Sequence, residues 1–435
     1  MHANEELKNK SVIPLLIKYS LTTFAALLLN SLYTLADALF VSWGVGADAT
    51  GGVSLALPFV LVQSAISATL GGGAASIISR KLGEGKHAEG GEVAFNAMIV
   101  FWITAVLISV FGLIFIEPLL KVLGTTAELG VYAKPYLTII LIGNVFSTGF
   151  SSIIRAEGRM KYALLIWVIP ITVNIVADAL LILVFKTGVI GSAIATVVCQ
   201  FISFLMSILF FKKFSCLIFK GARLRLRTVR SVVATGLPSL VQQGGLSLSL
   251  VLLNNFLSAA GGAAAIKTYA YINRLFMFGV IPSFAAVQAM SPLIGFNHGA
   301  GDRLRVVKTV RGALLISVAC ALLFLAVAEA FPRQILSLLT DDADVLASGA
   351  EALRIVASAL PFMPFAVVAG GFYQSVGKKG RSLFFYAVTV LLLIPAAFFM
   401  YGTVGLYGIW WTLPVAAFLS AIISAGFLTV ELKRY

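Results

Sequence analysis

Two aspartates, Asp37 and Asp178, lie well inside long apolar runs, residues 12–43 and 161–185. In lipid an ionised side chain there costs about 2.5 kcal/mol or more, and such residues usually mark an ion pathway or proton relay. Asp37 stands about six residues short of the end of its run and Asp178 about seven short of its own. At 1.5 Å rise per residue, both fall roughly 9–10 Å below the same surface. Asn174 precedes Asp178 by four residues and shares its helix face. Thr196, about six residues into the run 190–211, returns to that depth; Tyr33 is one turn below Asp37, and Asn144, in the run 128–154, lies somewhat deeper. Oxygen donors of this kind suit a hard cation. Paired carboxylates in a low dielectric tend to share a proton, because like charges oppose the second ionisation. The chemistry indicated is reversible binding of H⁺, with Na⁺ at Asp37, Asn174, Asp178 and Thr196 as the alternative and no other cofactor. The competing reading is structural: each Asp hydrogen-bonds a neighbouring helix and holds the bundle together.

These carboxylates sit on the first and fifth of twelve apolar runs. The first six lie near 12–43, 50–79, 92–116, 128–154, 161–185 and 190–211, and the second six near 231–260, 264–296, 308–330, 345–376, 382–401 and 405–430. Each is long enough to cross a bilayer as a helix, which takes roughly 20 residues. Pro58, Pro170, Pro282, Pro361 and Pro364 are candidate kink points. The two sets repeat at an offset of about 216 residues. Leu82-Gly83-Glu84-Gly85 matches His298-Gly299-Ala300-Gly301, Glu157-Gly158-Arg159 matches Val376-Gly377-Lys378, and Gly188-x-x-Gly191 matches Gly402-x-x-Gly405. Six spans per unit make the repeats parallel, an arrangement that places a substrate pathway between the halves. The organisation expected is an N-lobe over 1–211, a basic linker over 212–230 and a C-lobe over 231–435.

The same offset carries Asp37 to Leu253 and Asp178 to Ile394, so the acidic pair has no counterpart in the second half. The first half is expected to carry the ion and the second to shape a substrate cavity. Candidates to line that cavity are Gln242, Gln243, Arg274, Phe276 and Met277. Aromatic and methionine side chains make adaptable apolar surfaces. Arg274 is the deepest cation, and a bundle contact with Gln242 or Gln243 is the alternative to a substrate role. Glu351 and Arg354, three residues apart, are expected to pair with each other.

With 60% apolar and 11% charged residues and a mean hydropathy of +1.00, the chain has lipid as its solvent. Its net charge of +14 marks topology rather than a nucleic-acid partner. Most of the 32 Lys and Arg fall at the N-terminus, in alternate connections and at the C-terminus, seven of them in 212–230. Positive charge is retained on the cytoplasmic side, so both termini are expected there, in a multi-pass inner (plasma) membrane protein acting as a monomer. The polar residues 1–11 and the long run after them read as a retained first helix rather than a cleaved signal. Cys199, Cys216 and Cys320 are too scattered for a zinc site or a disulfide framework.

The six-plus-six layout, Tyr33-x-x-x-Asp37, the segment from Gly71-Gly72-Gly73-Ala74 to Gly83-x-Gly85 and Asn174-x-x-x-Asp178 together resemble the multidrug and toxic compound extrusion (MATE) family. The resemblance implies an all-α membrane protein of twelve helices in two V-shaped lobes. It also implies rocker-switch antiport, in which H⁺ or Na⁺ influx expels lipophilic, often cationic, compounds and so confers drug resistance. A cation site in the N-lobe is part of the implication, and Asp37, Asn174, Asp178 and Thr196 fall on it. Members that place acids on the seventh and tenth helices differ from this chain, which has Gln242 and Gln243 on the seventh and no deep acid on the tenth. Flippases of lipid-linked sugars share the wider architecture, but their anionic cargo calls for several basic cavity residues, and Arg274 is nearly alone. An intramembrane aspartyl protease using Asp37 and Asp178 would resemble Gly-x-Gly-Asp, whereas Asp178 follows Ile175-Val176-Ala177. Zinc-protease, P-loop and serine-elbow motifs are missing too, so no enzymatic activity is expected.

Overall fold

The computed structural model describes residues 2–122, 125, 127–146, 149–340 and 342–435, with the side chains of 2–5, 47, 57, 58, 122, 127, 263, 343 and 344 left out of that description. The described spans are all helical because lipid offers backbone groups no partner, so each span must close its own hydrogen bonds. In chain order the spanning helices are α1 Val12–Gly44, α2 Leu57–Gly83, α3 His87–Ile114, α4 Ala127–Gly143, α5 Met160–Asp178 and α6 Val189–Lys213. They continue with α7 Leu226–Gly262, α8 Ala264–Gly299, α9 Arg303–Ala330, α10 in two pieces Ala343–Ala357 and Met363–Ser375, α11 Lys379–Val404 and α12 Leu406–Arg434. Eleven helices among the described residues are long and apolar enough to span a membrane, and the broken α10 occupies the twelfth place.

The irregularities fall at identifiable residues. The expected continuous run 345–376 breaks between Ala357 and Met363, because Pro361 donates no amide and Pro364 opens the next helix from its first turn. The fourth span is interrupted as well, by a 3₁₀ turn at Asn144–Phe146 before the short helix Phe150–Ala156. Pro58 stands in the first turn of α2 rather than in its interior, behind the separate helix Ala47–Ser54, and its side chain lies outside those described. Pro170 and Pro282 are within α5 and α8 as expected. Beyond Asp178, α5 widens into a π-helical segment over Ala179–Val184.

The internal repeat is written in backbone angles. Gly85 and Gly301 have φ of 74° and 78°, and Gly158 and Gly377 have 77° and 83°. Gly188 pairs with Gly405, at 67° and 64°, rather than with Gly402 as the sequence register had it. A fourth pair, Gly46 and Gly262, ends α1 and α7 at φ of 120° and 62°.

The helices form two compact units. One covers Ala25–Gly236 with the N-terminal residues through Glu6; the other covers Leu7–Phe24 and Leu237–Tyr435. The single helix α1 thus gives its first turns to the second unit and the rest to the first. In the first unit, Tyr136, Leu137, Ile140 and Leu141 of α4 pack with Ala193 of α6. The second unit has a larger core around Leu257, Ile272, Leu353, Leu360 and Ala417. There Ile13 and Leu16 of α1 lie against Gly312 of α9. Outward-facing Leu, Val and Phe such as Leu315, Leu323, Phe398 and Phe399 are exposed, as expected of a lipid-facing surface.

Candidate functional site

Three helices of the first unit each carry a pair of polar residues four apart, hence on one face: Tyr33 and Asp37 on α1, Asn174 and Asp178 on α5, Ser192 and Thr196 on α6. The α1 and α6 pairs form a two-rung ladder. Ser192 Oγ donates to Asp37 Oδ1 at 2.8 Å, and one turn away the Tyr33 hydroxyl and Thr196 Oγ1 are 3.4 Å apart. Numbers rise along α1 as they fall along α6, so the two helices are antiparallel at this contact.

Asp178 comes in from the side, as an immediate neighbour of Asp37. It is buried, and among the described residues no donor reaches either of its carboxylate oxygens, nor does either polar atom of the fully buried Asn174 have a partner there. Two ionised carboxylates have no donor to offer each other, whereas a single proton held between them makes an O–H···O bond. The π segment begins at the residue after Asp178, and such widenings of a helix recur at functional sites. Its last turn is closed by Thr187 Oγ1, which donates to the Leu181 carbonyl at 2.7 Å.

Of the residues that sequence reasoning placed together, Asp37, Asp178, Thr196 and Tyr33 are in the cluster, and Asn174 stands one turn from Asp178 on the same face of α5. Asn144 is held elsewhere: its Nδ2 donates to the Ala105 carbonyl of α3 at 3.1 Å and lies 3.5 Å from Ser109 Oγ. Two members were missed. Ser192 was detectable as the residue four before Thr196. Tyr136, buried in the core on α4 and beside Asp37, Asp178, Ser192 and Thr196, carried no signal of its own in the sequence.

In the second unit a cavity of about 220 Å³ is lined by Gln242, Tyr269, Asn273, Phe276, Met277 and Thr389, among others. Leu253, the counterpart of Asp37, lines it as well. Gln243 and Arg274 do not line it. Arg274 is exposed and bonds to neither Gln242 nor Gln243. The expected Glu351–Arg354 pair is replaced by longer-range partners. Arg354 Nε lies 3.5 Å from Glu329 Oε2 and donates to the Glu329 carbonyl at 3.2 Å, while Glu351 accepts from the Tyr407 hydroxyl at 3.1 Å.

Residues 23–180 and 238–399 match the family model MatE, one stretch in each half. The chain belongs to the MATE family. Along almost its whole length it is similar to the multidrug export protein MepA of Staphylococcus saprophyticus, 22% identical over 433 residues that cover 98% of this chain and 95% of the relative. Among solved structures it is similar to a MATE protein in a bent conformation, with a TM-score of 0.93, 23% identity and coverage of 100% and 98%. Another is a MOP-superfamily transporter of Pyrococcus furiosus, described as having a binding pocket of reversed polarity that suggests a different function; the TM-score is 0.91 at 23% identity, covering 98% and 97%. MATE proteins are transporters, which removes the membrane-protease reading of the two aspartates.

Proposed function

We propose that this MATE protein is a proton-coupled antiporter that exports lipophilic small molecules, cationic ones included, with Asp37 and Asp178 as the coupling pair. The observation that carries the reading is the Asp178 carboxyl, buried beside Asp37 with no donor to either oxygen among the described residues. A bare buried charge is expensive. Taking up one proton removes one of the two like charges, joins the carboxyls by an O–H···O bond and draws α5 toward the ladder between α1 and α6. Only a ligand that binds two states unequally can move the equilibrium between them. A proton that changes these interhelical contacts meets that requirement. Na⁺ is the alternative, favoured by one further observation, the unpartnered amide oxygen of Asn174, which adds a neutral ligand of the kind a hard cation takes. Protonation remains the preferred reading because it needs one carboxylate and no complete coordination shell.

The substrate class rests on the multidrug export relative and on the cavity of the second unit, where Tyr269, Phe276 and Met277 offer adaptable apolar contacts and Gln242 and Asn273 offer neutral polar ones. A lipid-linked sugar would call for fixed positive charge there. The Lys and Arg asymmetry supports cytoplasmic termini in an inner membrane, and we take the functional unit to be a monomer. Purified protein in liposomes tests the coupling. An inward pH gradient without Na⁺ is expected to drive a fluorescent lipophilic cation outward, and a Na⁺ gradient at equal pH to do little. Strong Na⁺ drive without a response to the pH gradient would replace the proton by Na⁺ at the same cluster.

A further inference from the structure

The connection between α6 and α7 is fastened to α3 of its own unit at residues 216–218 and 223–225. The Ile218 amide donates to the His87 carbonyl at 3.3 Å, and His87 Nδ1 lies 3.1 Å from the Cys216 carbonyl. At Gly91 the Ile218 carbonyl comes so close that a Cβ would collide with it. Further along, Asn96 Nδ2 donates to the Arg223 carbonyl at 2.9 Å and Asn96 Oδ1 accepts from the Arg225 amide at 2.7 Å. These contacts set the depth of the connection. With 28 residues, α3 is about 42 Å long, roughly 12 Å more than a hydrocarbon core. At 1.5 Å per residue that excess is about eight residues, the polar start 87–92 with Val93 and Ala94 after it. Asn96 therefore stands at the edge of the hydrocarbon, and Arg223 to Arg225, bonded to it, run at headgroup level.

What the segment displays at that level is unusual for water and suited to lipid. In Arg223-Leu224-Arg225-Leu226-Arg227 the leucines are 54% and 83% exposed. Of the seven basic residues in 212–230, only Arg225 has an acidic partner among the described residues, Glu92 at 3.3 Å; Lys220, Arg223 and Arg227 are exposed and unpaired.

We propose that this connection is a binding surface for anionic phospholipid headgroups, with Lys220, Arg223 and Arg227 on the phosphates and Leu224 and Leu226 in the acyl layer. Basic residues beside a membrane attract anionic lipid, and the leucines distinguish a lipid from a soluble phosphate or an acidic protein, neither of which reaches this depth with an apolar portion. The surface goes beyond the transport reaction and does not depend on the coupling ion.

Native mass spectrometry of the full-length protein with equimolar phosphatidylglycerol and phosphatidylcholine tests it. Wild type is expected to retain phosphatidylglycerol preferentially. Lys220→Gln/Arg223→Gln/Arg227→Gln should lower that retention at least fivefold, to about the phosphatidylcholine level, and Leu224→Asn/Leu226→Asn should weaken it too. A control, Lys308→Gln/Arg311→Gln/Arg333→Gln, should leave it unchanged. Unaltered retention in the linker variants, an equal loss in the control, or displacement of the lipid by millimolar glycerol phosphate would each overturn the proposal. Wild-type protein cross-linked to photoreactive phosphatidylglycerol gives a readout free of any folding defect: label is expected on residues 212–230, and label only elsewhere would sink the idea.

Discussion

Asp178 lies beside Asp37, yet among the described residues only Asp37 has a donor, Ser192 Oγ at 2.8 Å. The difference gives the two carboxylates different jobs. Asp37 is oriented by α6 and is ready to accept a second bond, while no donor among the described residues orients Asp178. Asp178→Asn copies the size of the protonated acid and cannot release the proton, so the variant should fold and insert normally but lose gradient-driven efflux. Asp37→Asn should behave alike. Efflux at matched expression is the measurement, and wild-type efflux in either variant would make that residue structural.

Ser192→Ala removes the one donor that Asp37 has in the ladder, a bond to a charged group worth about 1.5–3 kcal/mol. Efflux should fall about tenfold or more, with thermal stability close to wild type. Ser192→Thr, which keeps the hydroxyl, should restore most of the activity. Equal effects of the two substitutions would point to packing rather than to the hydrogen bond.

Glu157, between the fourth span and α5, is buried and accepts from Ser215 Oγ at 2.8 Å and from the Cys216 amide at 2.7 Å. Burial pushes its carboxyl above the usual range, outweighing those two donors. A raised folded-state pKa means that the folded chain holds the proton longer than the unfolded one, so stability falls as pH rises from about 4.3 through the raised value. Glu157→Gln should flatten that part of a melting-temperature profile. Glu157→Ala leaves buried donors unpaired and should cost about 1–3 kcal/mol, with faster amide exchange at residues 215–218.

Gly262 joins α7 to α8 at φ 62° and ψ −152°, a conformation essentially restricted to glycine. Gly262→Ala should cost about 1–3 kcal/mol and lower both yield and melting temperature. Gly402→Ala, at a position that is simply helical, should cost less, and a reversed order would contradict the repeat register drawn from the backbone angles.

The spans, their number and the first-half acidic pair were legible because lipid imposes a coarse rule, long apolar runs with charge excluded, that survives in single residues. Features set by rotation about a helix axis were harder to read. Gln243 and Arg274 were grouped with Gln242, Phe276 and Met277 because sequence proximity looks like spatial proximity, whereas one step along a helix turns a side chain by about 100°. Tyr136 was invisible for a related reason: nothing in its neighbourhood says that its face of α4 meets Asp37. Arg354 prefers Glu329 over the nearer Glu351, a choice made by tertiary packing. The prolines of the tenth span announced a disturbance but not a complete break.

Because Leu7–Phe24 belongs to the second unit although the rest of α1 belongs to the first, the chain cannot be cut into self-sufficient halves at its basic connection. A fragment beginning at residue 231 would have to be purified with a bare groove along α9, where Ile13 and Leu16 normally cover Gly312. Two-plasmid complementation should therefore succeed only when both pieces are made together, and a C-terminal piece produced alone should accept a synthetic peptide of residues 7–24 as its missing part.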